Sequence, residues 1–436
     1  MPRLSRLPTT RWATFLARLA LAAVVALASS GMAACTRPPG DLDATVQRAS
    51  AGYRFGFLSW EVRHLLGKGR MSREGARLAA AAPDPAALVE EYLDLYGVVA
   101  VERARVRRAE AEGNLPPGDL AALRGKVAEL ESRLQALSDP VETHLAGQIR
   151  AVLTELGIHN PADRWLSLGI GFPPVWFELT QPPHVLVVSP RSEIRKVREV
   201  MLIPELTVAE MREMEAEVDA LGYSTLVVQV GGFGGLYPSL VAETSSLSFL
   251  VEAAAEEWLH QYLAFTPLGF SYVLDLLNIR RSYEVATLNE TLAGIVSAEV
   301  GRQVLAAYYL EYLPAAEEEQ PAEQEEEPGG FSFSREMRAI RLQADDLLAA
   351  GRIEEAEAYM EERRQYLETQ GYYIRKLNQA YFAFHGTYAA EPTSVDPIGG
   401  EVRLLRERSA TLSGFLNQTA GVTSRASLRA LLGLTP

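Results

Sequence analysis

Glu256, Glu257 and His260 sit within AAAEEWLHQYLAF (253–265), a stretch otherwise dominated by Ala, Leu, Trp, Tyr and Phe. A helix that is apolar nearly all round is a buried helix, and a buried carboxylate requires a cation, a proton or a metal. Glu252, Glu256 and His260 recur every four residues and so stack on one helical face. Glu257 lies about 100° further round. The i, i+4 pair Glu256 and His260 can chelate one divalent metal from a single face. This is the geometry of HExxH zinc helices, in which the intervening Glu is the general base. Here a carboxylate, Glu256, stands at the first ligand position, and carboxylates bind zinc at about 2.0–2.2 Å. The alternative chemistry for the same residues is a buried hydrogen-bond network, with His260 bonded to Glu256 or to a backbone carbonyl.

A metal would need a third ligand. LNETLAGIVSAEVG (288–301) offers Glu290 at the start of the next expected helix, with Asn289 as its cap; a carboxylate there is also favoured by the helix dipole alone. Gly294, Ser297 and Gly301 follow on roughly one face and predict close approach to the first helix, whereas Glu299 points elsewhere. The intervening TPLGFSYVLDLLNIRRSYEVA (266–286) either walls a cleft or supplies another ligand, such as Glu284.

These residues need a scaffold, and the patterning predicts an α+β, mostly helical one. Residues 36–160 form an N-terminal helical region in which NLPPGDLAALRGKVAELESRLQAL reads as one arm of an antiparallel hairpin. Residues 161–313 change character. PPVWFELT, PHVLVVSPR, REVMLIPEL, STLVVQVGGFG and YPSLVAE read as short strands of a small mixed sheet. Between them TVAEMREMEAEVDALGY reads as a helix opened by Thr207 with Glu210 and closed by Gly222. Residues 314–334 form a Glu-rich acidic linker or loop. Residues 335–436 are helical, with LLAAGRIEEAEAYME as part of a helical hairpin.

The order of motifs resembles the gluzincin zinc metallopeptidases, in which a strand, an HExxH helix and an NExxA helix follow one another. More narrowly, the chain resembles the bacterial predicted-aminopeptidase lipoproteins. EEWLHQ, LNETLAG and LNQAYFAFHGTY stand where that family has its metal helix, its third-ligand helix and a later segment ending in Thr-Tyr. The resemblance implies a zincin-like core and a zinc ion held by Glu256, His260 and Glu290. It also implies Glu257 as the base that takes a proton from water, and a peptide as substrate or ligand. His385 and Tyr388 would then be candidates to donate to the carbonyl oxygen. An edge strand near YPSLVAE is expected to hold an extended peptide by strand addition. The alternative within the same scaffold is an inactive module that binds a partner at the cell envelope.

The bulk properties fit this placement. The chain has 436 residues, 48% hydrophobic and 22% charged, with a formal charge of −14, and its acidic balance without a basic stripe argues against a nucleic-acid partner. Residues 1–35 carry Arg3, Arg6, Arg11 and Arg18, an apolar run and small residues before Cys35, the layout of a bacterial secretion signal. Cys35 is the single cysteine and falls where a lipobox places the acylated residue, so the expected location is extracytoplasmic, anchored to the membrane through lipid on Cys35. Oligomeric state is not legible.

Overall fold

The computed structural model describes residues 41–56, 60, 85–112, 115–163, 169–276, 279–280, 282–313, 331–386 and 397–434. Cys35, Tyr388 and the Glu-rich run 314–330 lie outside them. The protein is mostly helical, at 65%, with small mixed sheets. No helix among the described residues is long and apolar enough to cross a membrane.

Helix α1 (Asp41–Ala49) precedes a long hairpin of α2 (Pro85–Glu112) and α3 (Pro117–Glu155). A proline at the first helical position opens α3, where its missing N–H costs nothing. Charged residues stitch the two arms together: Lys126 to Glu102 at 2.8 Å and Arg103 to Glu131 at 2.7 Å.

The strand region forms two three-stranded sheets where the sequence predicts one. Strand β1 (Phe177–Thr180) is followed by β2 (His184–Pro190), β3 (Arg198–Leu202), helix α4 (Val208–Asp219), β4 (Tyr223–Gln229), β5 (Gly232–Phe233) and β6 (Ser239–Ala242). The split has a topological cause. β1 pairs in parallel with β6, so the chain leaves this sheet after β1 and returns to it at β5, and in between β2, β3 and β4 close on one another as an antiparallel sheet in the order β3-β2-β4. The other sheet runs β1-β6-β5. The strand of YPSLVAE is β6, which lies centrally, and the edge strand beside it in sequence is β5, with β1 at the opposite edge. Helix α4 starts with the expected capping box of Thr207 and Glu210, and Gly222 after it adopts φ +84°.

The helices that follow are α5 (Leu247–Leu263), α6 (Pro267–Leu276), α7 (Tyr283–Tyr308), α8 (Phe333–Ala349), α9 (Ile353–Thr369), α10 (Gln379–His385), α11 (Pro397–Arg408), α12 (Leu412–Thr419) and α13 (Arg425–Leu432). The main core draws on α2, α3, β1, β6, α5, α7 and α11 to α13, with Val251, Leu288, Leu292 and Phe415 fully or almost fully enclosed. The β3-β2-β4 sheet packs on α4 and α1 through a second cluster that includes Val46, Leu186 and Val218. The α8–α9 hairpin has its own cluster around Ile340 and Met360.

One buried charge network joins these parts. Glu215 of α4 accepts from the Val227 backbone N–H at 2.6 Å, from both Arg375 terminal nitrogens, and faces Lys376 at 3.6 Å. Its side chain is only 4% exposed. Removing the guanidinium leaves a buried carboxylate short of its main partner. Arg375→Ala is therefore expected to lower stability by about 3 kcal/mol, measured as a shift of the urea midpoint at unchanged slope.

Candidate metal centre

Helix α5 begins where Ser246 accepts from the Phe249 N–H, and twelve of its residues are buried. Helix α7 begins with Ser282 accepting from the Val285 N–H. Asn289 and Glu290 therefore lie inside α7, not at its start, which corrects the reading of Asn289 as a cap. The two helices pack closely at one point: a Cβ on Gly301 would come within 2.5 Å of the Glu252 side chain. Of the two glycines on that face, Gly301 is the one against α5, since a Cβ on Gly294 would meet nothing.

Across this interface Glu256, His260 and Glu290 converge. Their ligand atoms all lie within 4.8 Å of one another, the one such group among the described residues. His260 Nε2 is 3.5 Å from Glu290 Oε2, close to the separation of about 3.4 Å expected between two ligands of a tetrahedral zinc site. Glu290 Oε2 is buried without a hydrogen-bond partner. The other ring nitrogen, Nδ1, is 3.0 Å from Asn289 Oδ1. An amide oxygen only accepts, so in the neutral imidazole the proton would sit on Nδ1 and leave the Nε2 lone pair for a metal. A set of one imidazole and two carboxylates around a buried oxygen with no partner fits a divalent cation.

In the metal-free cluster the positive charge that the carboxylates call for is supplied by a proton on His260. Burial alone would push the His260 imidazole down, but the charge and hydrogen bond of Glu290, with Glu257 and Glu256, outweigh it and push the pKa up to about 10. Burial alone would raise Glu290. The imidazolium, the His260 and Tyr272 hydrogen bonds and the Lys196 charge hold it below its ordinary value instead. Tyr272 of α6 donates to Glu290 Oε1, and its ring lies 6.0 Å from that of His260.

Glu257 sits beside the cluster, beneath β5. Burial, reinforced by Glu256 and Glu290, pushes its pKa up to about 8, although the Gly234 N–H donates to it. The contact explains the glycines of GGFGG. A Cβ at Gly232 would stand 2.2 Å from Glu257 Oε1, and one at Gly234 would stand 2.7 Å from the Glu257 backbone oxygen.

The remaining candidates are placed as follows. His385 in α10 is outside the cluster; its ring lies 4.3 Å from that of Tyr381 and 5.1 Å from that of Phe384, and burial pushes its pKa down to about 4. Glu284 is exposed and accepts from the Arg425 backbone N–H, so the insert supplies a wall and Tyr272 instead of that ligand. Glu299 points away and pairs with Arg406 at 2.6 Å. The sequence holds a second Glu-x-x-His, at Glu61 and His64, a spacing that di-iron bundles use twice; it lies outside the described residues. Asn289, Tyr272 and the two glycines are the site residues that sequence reasoning missed. The run GGFGG, ahead of the metal helix, was the one visible signal among them.

Compared with known protein families, curated proteins and solved structures, the chain matches none.

Two outcomes follow from this geometry. A metal needs the neutral imidazole, so it must displace the proton that His260 holds up to about pH 10. Zinc binding at pH 7 should release between one and two protons, one from His260 and most of one from Glu257, and the apparent affinity should rise with pH by about tenfold per unit for each proton released; calorimetry in buffers of different ionisation enthalpy reads both. Gly232→Ala should cost about 1–3 kcal/mol through overpacking on Glu257, and the same change should cost clearly less in a Glu257→Ala background, where the methyl group has room.

Proposed function

We propose that this chain is a membrane-anchored, zinc-dependent peptidase-like protein, of aminopeptidase type, that hydrolyses peptide bonds. The observation that carries the reading is the convergence of Glu256, His260 and Glu290 from two helices on one point, with Asn289 orienting the imidazole. Bound there, a divalent ion supplies Lewis acidity, which lowers the pKa of water and polarises a peptide carbonyl.

The chain's own residues supply the rest. Glu257, one residue round the helix from Glu256, is the base of the EExxH motif. Its raised pKa of about 8 belongs to the metal-free site; a nearby divalent charge favours the carboxylate form that can take a proton. Strand β5 lies at the edge of its sheet, and no strand among the described residues pairs with its outer side. An extended peptide added there would run beside Glu257, held by main-chain hydrogen bonds. The zincin-like character of the core, the extracytoplasmic location and the anchoring through lipid on Cys35 belong to the same proposal and rest on the order of motifs in the sequence.

A second reading is favoured by one observation. Glu257 is 8% exposed and pressed against the glycines of β5, a position that also suits a purely structural carboxyl group. In that case the scaffold binds a partner at the cell envelope without hydrolysing it. The readings part on a single variant. Glu257→Gln should retain stoichiometric zinc, measured by elemental analysis, and lose at least 100-fold in hydrolysis of peptide amides. Wild-type protein that holds zinc but cleaves no peptide selects the binding module. Wild-type protein that takes up no zinc ends both the zinc and the peptidase assignments.

A further inference from the structure

The helix α6 insert carries a side chain whose placement the proposed chemistry does not use. Tyr272 donates its phenol proton to Glu290 Oε1, while the buried Glu290 Oε2 takes no such bond and faces His260 Nε2 at 3.5 Å. A carboxylate with one oxygen taken and one free presents a single donor atom in a fixed direction. Without the phenol, the carboxylate is free to turn and offer both oxygens. Hydrogen-bonded supports of this kind hold metal ligands in orientation.

The helix that delivers Tyr272 is fixed at both ends. At its start the Leu268 N–H donates to Ala420 O at 3.0 Å, Leu268 is fully buried, and Gly269 backs so closely on Leu263 that a Cβ would come within 2.0 Å of its carbonyl oxygen. At its end Asp275 accepts from the backbone N–H of Ser282, the residue that caps α7. Tyr272 is thus held between the end of α12 and the start of the helix that bears Glu290, with its ring tilted 31° over His260. The phenol reaches the cluster because of this framework, not through a flexible loop.

We propose that Tyr272 is a positioning residue for the metal centre, fixing Glu290 as a one-oxygen ligand and tying helix α6 to the bound ion. The inference rests on the metal reading above and adds a role to a residue outside the EExxH and NExxA motifs. It also assigns a purpose to the insert between them: α6 completes the site from outside the two ligand helices.

The test measures Zn²⁺ affinity of the full chain by competition with a chromophoric chelator, together with the visible spectrum of the Co²⁺ form. Tyr272→Phe should weaken Zn²⁺ binding 10- to 100-fold and change the Co²⁺ band intensities, while the metal-free protein loses only the modest stability of one hydrogen bond to a buried carboxylate and still unfolds cooperatively. Tyr283→Phe, which removes a phenol on the same segment that donates to Gly386 O, should leave both readouts unchanged. The effect must act through Glu290, so in a Glu290→Gln background Tyr272→Phe should change affinity by no more than about twofold. Wild-type affinity in Tyr272→Phe, or an undiminished effect in the Glu290→Gln background, overturns the positioning role and leaves the metal centre standing. No stoichiometric uptake of Zn²⁺ or Co²⁺ by the wild-type chain overturns the metal centre, and the positioning role with it.

Discussion

The contact between His260 and Glu290 is the constraint on which the surrounding architecture turns. It places an imidazole and a carboxylate, each shielded from water, on two different helices at a separation of 3.5 Å. Neither group is tolerable in that interior alone, because a buried charge without a partner costs several kcal/mol. The packing of α5 on α7 brings the two groups together. Gly301 lets them approach, Ser282 sets where α7 begins, and the apolar residues on the remaining faces of α5 exclude solvent around the pair. Glu256 adds a second carboxylate to the same spot, which makes the three side chains a possible divalent-cation site.

Much of this arrangement was legible in the sequence. Helical spacing alone put Glu256 and His260 on one face, because four residues return nearly to the same side of an α-helix. Glu290 was legible as an acid in the next apolar helix. The strands were found by their short β-branched runs, and α4 by its capping box. Asn289 was misread because an Asn before a helical pattern favours a cap, and the pattern gave no sign that Ser282 had already opened the helix seven residues earlier. Tyr272 was invisible for a different reason. An aromatic residue in an apolar insert has packing as its ordinary role, and only the fold reveals which hydroxyl meets which acid.

The strand pairing was the other illegible part. Each strand was visible alone, but the partner of each is a long-range choice. Once β1 took β6 as a parallel neighbour, the order of both sheets followed, and β5 became the edge. Two residues long, β5 gave little periodic signal. Its glycines carry the information instead, because the backbone there comes so close to Glu257 that any side chain at Gly232 would collide with the carboxylate. A hydrophobic pattern cannot express a requirement for emptiness.

The main core has a consequence for how the chain comes into being. Its contributors run from Val89 in α2 to Phe415, Leu416 and Leu428 in the last helices. The smaller cluster of α1, α4 and the β3-β2-β4 sheet is complete by Val227, but no leading portion of the polypeptide completes the main core, and α7 keeps an oily flank until the final forty or so residues arrive to cover it. Synthesis proceeds from the other end at about 5–20 residues per second, so that flank stays bare for seconds after it is made. Holding such a nascent chain apart from its neighbours is a task for chaperones, and one that grows with every residue added between the Glu-rich run and the closing helices.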